Sequence, residues 1–371
     1  MTSDVITGWE MSEPGGPMAR TVRPMRQLAD DEVLVRVAGC GLCHTDLGFL
    51  YDGVRTRFPA PLILGHEIVG WVEDAGSVHR DLVGRAVVVP AIIPCGECVA
   101  CLAGKPTICR RQVMPGNDCD GGFATHVILP GRGLCPVPGA TEDARAPLGR
   151  AAGLTLRHLA VVADAVSTAY QSVERSGLDA GDLAIVVGLG GVGTYAAQFA
   201  SLKGAAVVGV DVDPRRLREA SRIGVGLALD GRELQPKEAR SRVAEFARSR
   251  KAPEIGWKIF ECSGTPGGQK AAFSLLVPGA TLLVVGFTLQ PVEVRLSHLM
   301  AFDARAIGNW GCAPALYPRI LEHVLDGSID VVSNTELRPL AHLREALEDV
   351  HSRRAVRRIV LTPDGDKEVG V

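Results

Sequence analysis

LAIVVGLGGVGTYAAQFASLKGAAVVGVD, residues 183–211, decides the fold. Leu183–Val187 is a continuous apolar run, as a strand buried on both faces requires. Glycines crowd the turn after it, at Gly188, Gly190, Gly191 and Gly193, with Leu189 and Val192 between them. Val192–Lys203 then reads as a helix and Ala206–Asp211 as a second buried strand. A glycine-rich turn that leaves a strand and opens a helix is a dinucleotide-binding signature. The first glycine permits the tight turn, the second lets the backbone approach a pyrophosphate, and the third lets helix and strand pack closely. The helix N-terminus offers free N–H groups and a partial positive charge. Asp211 ends the second strand, eighteen residues after Gly193. A carboxylate there accepts from ribose hydroxyls and repels a 2′-phosphate, which favours NAD over NADP. Arg215 and Arg216 stand close by and soften that preference. The plain alternative is an ordinary glycine-rich turn, with Asp211 capping the following helix.

The pattern continues outward. Leu217–Ile223 reads as a helix, Trp257–Cys262 as a strand, Gln269–Leu276 as a helix and Thr281–Val285 as a strand. Alternating strands and helices imply a parallel sheet covered on both faces. Before about residue 150 the texture is different. Short apolar segments such as Glu32–Ala38, Ile68–Glu73 and Arg85–Pro90 are separated by Gly and Pro, as in an antiparallel β unit. After about residue 310, Ala315–Leu325 and Leu340–His351 read as helical and Arg358–Thr362 as a strand. The expected division is a β-rich domain over 1–154, joined by 305–371, and a nucleotide-binding domain over 155–304.

Composition narrows the function. A chain of 371 residues with 46% hydrophobic and 22% charged residues has the balance of a two-domain globular protein. The net charge of −2 comes from interleaved acids and bases, so no basic stripe is available to track a nucleic acid. A local basic pocket for a phosphorylated small molecule is still compatible with it. No apolar run approaches the ~18 residues of a membrane span, and Met1–Glu10 lacks the order of a signal peptide. A soluble, cytoplasmic protein is expected, in which disulfides are disfavoured.

Cysteine placement points to metal instead. Cys95, Cys98, Cys101 and Cys109 follow the spacing C-x2-C-x2-C-x7-C. Four thiolates in one short loop suit a closed tetrahedral zinc site; an iron–sulfur cluster is the chemical alternative. A second candidate is assembled from separated residues, with a thiolate at Cys43 in GLCHTD (41–46) and an imidazole at His66 in GHE (65–67). Each fragment alone is ambiguous: a single histidine in an apolar stretch, such as His66, is more often a satisfied core histidine, and Cys40 with Cys43 reads equally as a redox dithiol.

Together these motifs resemble the zinc-containing medium-chain alcohol dehydrogenases, in order and over nearly the whole chain. The resemblance implies an α/β fold made of a GroES-like β-rich catalytic domain and a Rossmann doubly wound parallel sheet. It implies NAD as cofactor, two zinc ions per chain, and a homo-oligomer, dimer or tetramer. It also supplies a third catalytic ligand, an acid shortly before Ser167-Thr168-Ala169-Tyr170, here Asp164. Cys43, His66 and Asp164 are then the catalytic ligands, Glu67 an occasional extra one, and Asp46 the partner that holds His66. Thr45 corresponds to the hydroxyl that bonds the substrate oxygen and takes up its proton. Thr168 corresponds to a nicotinamide contact, His44 and Arg358 to pyrophosphate contacts, and Val285-Gly286-Phe287 to the segment beside the carboxamide. The outer histidine of the family's proton relay is replaced by Gly48.

Further stretches are similar to one branch, the 6-hydroxycyclohex-1-ene-1-carbonyl-CoA dehydrogenases of anaerobic benzoyl-CoA degradation. They are CGLCHTDLG (40–48), YDGVRT (51–56), MPGND (114–118), WKIFECSG (257–264) and NWGC (309–312). This resemblance implies NAD-dependent oxidation of a ring alcohol on a CoA thioester, with Arg55 and Arg57 as candidate phosphate contacts. The alternatives are a zinc dehydrogenase of a free alcohol such as a polyol, threonine or an aryl alcohol, enoyl-CoA reduction at the same site, a zinc-free quinone or enoyl reductase on this scaffold, and a non-catalytic zinc protein.

Overall fold

The computed structural model describes residues 4–232 and 235–363 and divides the chain into two units, 1–167 with 311–371, and 168–310. The sequence pattern had placed the first boundary near 155. The intervening segment is a 3-10 helix, Leu156–Ala163, whose Val161, Val162 and Ala163 are fully buried. It keeps with the first unit, where the Ala91 amide donates to the Ala163 carbonyl at 3.1 Å. The second boundary also moves. Arg305–Gly308, expected in the returning segment, is the sixth strand of the nucleotide-binding sheet, paired in parallel with Thr281–Val284.

In the first unit a seven-stranded sheet runs in the order Thr335–Pro339, Arg358–Thr362, Glu32–Gly41, Glu67–Ala75, Ala86–Val89, Cys135–Pro136, with His126–Pro130 also pairing Glu32–Gly41. Glu32–Gly41 is the hub. Val33, Val35 and Val37 point to one face at period two and enter the main core with Ile68, Val87 and Phe123. Two register shifts against Glu67–Ala75, between Leu34 and Val35 and between Val37 and Gly39, curl this pair. A second sheet of three strands joins Met18–Pro24, Val5–Met11 and Leu62–Ile63. The curled sheet delivers two chain segments to one place. Glu32–Gly41 leads into the helix His44–Leu50, and the segment before Glu67–Ala75 carries His66.

In the second unit six parallel strands run in the order Leu227–Asp230, Ala206–Asp211, Leu183–Val187, Lys258–Glu261, Thr281–Val284, Arg305–Gly308. The chain starts in the middle, winds to one edge, returns and winds to the other. The point of reversal lies between Leu183–Val187 and Lys258–Glu261, and in such sheets the ligand crevice lies at the carboxyl ends of those strands. The core here is mostly aliphatic, with Ile185, Val208 and Ile259 fully buried and Trp257 and Phe273 packed among them. The helix Pro236–Arg250, outside the sequence assignment, buries only Val243 and Ala247 fully, a narrow i, i+4 stripe in a charged sequence.

Central packing sets a stability prediction. Ile259→Ala removes methyl and methylene groups from a fully buried site and should cost about 2–5 kcal/mol. Val212→Ala, at a residue 51% exposed, should change stability by no more than about 0.5 kcal/mol. Urea unfolding followed by circular dichroism measures both, and equal midpoints for the two variants would contradict this packing.

Candidate functional site

Cys43, His66, Glu67 and Asp164 converge in the first unit, each offering a ligand atom within 4.8 Å of the others. Cys43 is the N-cap of helix His44–Leu50. Asp46, in the first turn, reaches back to accept the Cys43 amide at 2.9 Å and accepts the Gly65 amide at 3.2 Å. One buried carboxylate thus ties the cysteine segment to the histidine segment. Gly65 has φ +98°, and a Cβ there would lie 2.7 Å from the Phe123 ring and 2.8 Å from Cys40 Sγ. Only glycine fits, and it turns His66 inward. Asp164 caps the end of Leu156–Ala163, one residue before helix Ala165–Ser176.

The distances fit a metal. His66 Nε2 lies 3.6 Å from Asp164 Oδ2, and Cys43 Sγ lies 4.0 Å from the same oxygen. Tetrahedral ligands at roughly 2.0–2.3 Å from zinc stand about 3.3–3.8 Å apart. Both ring nitrogens of His66 are buried without a hydrogen-bond partner. Nδ1 lies 3.4 Å from Asp46 Oδ1, aligned as an ion-pair contact and not as a hydrogen bond. Burial alone would lower the His66 pKa, but the Asp46 charge, Asp164 and Cys43 together raise it well above its usual value. A pocket that draws a proton onto a buried imidazole is one with surplus negative charge, and a divalent cation relieves it.

Glu67 is the fourth member of the cluster and is held elsewhere. Its carboxylate pairs with the buried Arg358 guanidinium and accepts the Ala165 amide at 3.0 Å. Burial raises its pKa, with Arg358 opposing. Arg358, expected as a pyrophosphate contact, thus takes a different partner: it balances charge beside the ligand cluster, a role invisible in sequence because 291 positions separate the two residues. Thr45 Oγ1 lies 3.6 Å from Cys43 Sγ, and His44 is exposed at the head of the same helix. Cys40, the candidate dithiol partner, is fully buried in the apolar core and its thiol pKa is raised by burial. It is a packing residue. Asp118 engages Arg57 Nε at 3.2 Å; Arg55 is exposed.

The four-cysteine loop closes on itself. Sγ separations are 3.5 Å for Cys98–Cys101 and Cys95–Cys109, 3.6 Å for Cys98–Cys109 and 4.0 Å for Cys95–Cys101. Four sulfurs at about 2.3 Å from a tetrahedral zinc stand about 3.8 Å apart. None is in a disulfide. The Glu97 amide helps pull the Cys95 thiol down to about 6, into the range of a ready thiolate ligand.

In the second unit the glycine turn has the expected form. Gly188 has φ +92°, and a Cβ there would lie 2.6 Å from Ser263 Cα; one on Gly193 would collide with the Gly188 carbonyl. The three atoms nearest to a Cβ on Gly190 would all belong to the Arg216 guanidinium, from 3.5 Å. The backbone from Gly190 through Gly191 to Val192 is therefore only half-buried and approachable at the head of helix Gly193–Leu202. Asp211 is buried and accepts the Leu189 amide at 2.7 Å. Thr168 begins this unit, its carbonyl accepting from Asn309 at 3.3 Å. Val285 and the exposed Phe287 follow strand Thr281–Val284. One residue the sequence reading passed over is Glu261. It is buried, accepts the Ser263 and Gly264 amides at 2.8 and 3.2 Å, and its carbonyl receives the Gly286 amide. An acid ending the apolar strand in WKIFE was the available signal.

Comparison with known proteins agrees with this geometry. Residues 29–139 match the family described as Alcohol dehydrogenase GroES-like domain, and residues 191–326 the family described as Zinc-binding dehydrogenase. An alcohol dehydrogenase of Geobacillus stearothermophilus is 30% identical over 262 residues, 70% of this chain and 71% of its own. The chain belongs to the zinc-dependent medium-chain alcohol dehydrogenases. It is an oxidoreductase acting on alcohols or polyols. An L-threonine 3-dehydrogenase of Bacillus subtilis is 27% identical over 289 residues, 76% of this chain and 77% of its own. The crystal structure of galactitol-1-phosphate dehydrogenase from Escherichia coli shares the fold, with a TM-score of 0.82 at 22% identity over 96% of this chain and 100% of that one. No helix among the described residues is long and apolar enough to cross a membrane.

The two clusters predict separable metal losses. Cys101→Ser should remove one zinc per chain and lower thermal stability, because metal affinity at such a loop is folding free energy. His66→Ala should remove the other. Elemental analysis against protein concentration checks both, and unchanged zinc in either variant would contradict that assignment.

Proposed function

We propose that the chain oxidises a secondary alcohol to a ketone with NAD as acceptor, using Cys43, His66 and Asp164 as ligands of a catalytic zinc. The observation that carries this reading is that Glu67, the fourth member of the cluster, is held by Arg358 and the Ala165 amide. Three protein ligands remain, which leaves one position for a substrate oxygen, whereas a structural site takes four. Cys95, Cys98, Cys101 and Cys109 would hold the second, structural zinc.

Bound zinc supplies Lewis acidity to the substrate oxygen, and NAD supplies the hydride acceptor. The chain's own groups do the rest. Cys43 and Asp164 bring two negative charges, and Asp46, beside Nδ1, orients His66 so that Nε2 faces the cluster. Thr45 takes up the alcohol proton at Oγ1, close to Cys43. Gly48 offers no onward acceptor, so the proton leaves Thr45 by way of solvent or a ribose hydroxyl. In the other unit the turn Gly188–Gly193 cradles the pyrophosphate and Asp211 takes the adenosine ribose. A homo-oligomer would place the open side of strand Arg305–Gly308 at a subunit contact.

For the substrate we propose 6-hydroxycyclohex-1-ene-1-carbonyl-CoA, oxidised to the 6-oxo thioester. The five resembling stretches support it, and two of them adjoin one surface. The Phe58 amide, just after YDGVRT, donates to the Asn117 carbonyl of MPGND at 2.7 Å, and the Arg57 amide donates to Asn117 Oδ1 at 3.1 Å. A free alcohol or polyol is the second reading, favoured by the activities for which similar proteins are named.

Incubation of the zinc-loaded protein with NAD and either the thioester, cyclohexanol or threonine, followed by NADH absorbance, separates these readings. Turnover of the thioester alone is expected; turnover of a free alcohol alone would leave the zinc chemistry and remove the thioester. Thr45→Ala should lower kcat about 10²–10⁴-fold with zinc content unchanged, and Thr45→Ser should restore most of it. An active Thr45→Ala enzyme would remove the proton role.

A further inference from the structure

We propose that the Tyr317 hydroxyl, together with Ser167, is a positioning clamp for Asp164: it fixes the peptide in front of that acid and so sets how tightly the first metal centre holds its ion. The proposal rests on the reading of Asp164 as a metal ligand.

Asp164 stands at a joint of the chain. The 3-10 helix Leu156–Ala163 ends just before it, and helix Ala165–Ser176 begins just after it. Its own backbone, at φ −137° and ψ −65°, belongs to neither helix. The two peptides that flank it therefore set where its carboxylate points. A helix end leaves carbonyls without partners inside the helix, so a joint of this kind is only as firm as the groups that take them up.

Both flanking peptides are taken up. On one side Glu67 accepts the Ala165 amide at 3.0 Å. On the other the Ala163 carbonyl accepts the Ala91 amide at 3.1 Å and the Tyr317 hydroxyl at 2.5 Å. Ser167 Oγ lies 3.1 Å from Tyr317 Oη, 3.3 Å from the Ala163 carbonyl and 3.2 Å from the Asp164 carbonyl. Its single proton serves one of these acceptors at a time. Whichever it serves, the two hydroxyls close over the peptide that joins Ala163 to Asp164.

Core packing accounts for the ring of Tyr317 and not for its hydroxyl. Tyr317 opens helix Tyr317–Leu325, which buries Tyr317, Ile320, Leu321 and Val324 at the i, i+3, i+4, i+7 spacing of one face. The helix packs against Leu156–Ala163. A phenylalanine would serve that face as well. Tyr317 is only 1% exposed, and a hydroxyl that deep costs free energy unless it is bonded. What it bonds is the carbonyl next to a ligand whose Oδ2 stands 3.6 Å from His66 Nε2. Groups that hold a ligand from behind govern metal affinity by about 10–100-fold.

Tyr317→Phe keeps the ring and removes only the hydroxyl. Cobalt(II) loaded in place of zinc reports the two centres separately, since a centre with one thiolate and a centre with four absorb differently. In Tyr317→Phe a chelator should strip cobalt from the Cys43, His66 and Asp164 centre at about tenfold lower concentration or less, with shifted visible bands. The four-cysteine centre should keep its wild-type affinity. Ser167→Ala should act in the same direction, and it carries the test if Tyr317→Phe does not fold. Ile320→Val, on the same buried face, should lower the unfolding temperature and leave both affinities unchanged. Equal loosening of the two centres in Tyr317→Phe, wild-type affinity at the first centre, or the same loosening in Ile320→Val would overturn the clamp. Asp164→Ala separates the two levels of the argument. It should abolish tight binding at the first centre; wild-type affinity there would overturn the ligand reading of Asp164 and the clamp with it, whereas a loss in Asp164→Ala with none in Tyr317→Phe overturns the clamp alone.

Discussion

Three acids and an imidazole meet in a buried pocket of the first unit with one guanidinium to balance them. Like charges this close cannot all ionise in a poorly solvated site. Cys43, His66 and Asp164 are therefore arranged to suit a cation, while Glu67 has Arg358. The surrounding backbone serves that requirement. Gly65 gives up its side chain so that His66 can turn in past Phe123, and Asp46 binds the two approaching segments together through the Cys43 and Gly65 amides. Asp164 arrives from the end of a 3-10 helix in which every residue but Arg157 is buried. Arg358 arrives from the last described strand, which explains why the C-terminal segment must return to this unit.

The second unit solves a different problem, bringing backbone N–H groups to a phosphate. Gly188 and Gly193 leave room for the turn itself, and Gly190 leaves room above it. Two buried carboxylates then fix the strand ends on either side of the reversal point. Asp211 gathers the Leu189, Val212 and Asp213 amides, and Glu261 gathers those of Ser263 and Gly264. The same groups that cap the loops thus shape the crevice, so a change in cofactor preference and a change in loop geometry are coupled at Asp211.

Local signals were legible in the sequence because their partners lie close along the chain. The four cysteines sit within one loop, and the glycine turn joins a strand to the next helix. The alternation of strand and helix after residue 183 showed a parallel sheet, and apolar runs such as Leu183–Val187 marked its buried strands. Asp164 was reached through resemblance alone, because an acid before a helix reads first as a cap. What could not be read are pairings across long separations. Arg358 with Glu67 and Arg57 with Asp118 each give a cation an acidic partner that its position in the sequence did not announce. The domain boundary moved for a related reason: Leu156–Ala163 is apolar like the strands that follow, and only its packing assigns it to the first unit.

The central claim is that Glu67 is kept off the metal by Arg358, leaving a three-ligand centre with one position for substrate. Anomalous diffraction at the zinc edge from crystals of the protein tests it directly. The account predicts one peak among the four sulfurs of Cys95, Cys98, Cys101 and Cys109. It predicts a second within bonding distance of Cys43 Sγ, a His66 ring nitrogen and an Asp164 oxygen, with Glu67 still paired to Arg358. No second peak, or a second peak with Glu67 as a fourth protein ligand and no open position, would contradict it.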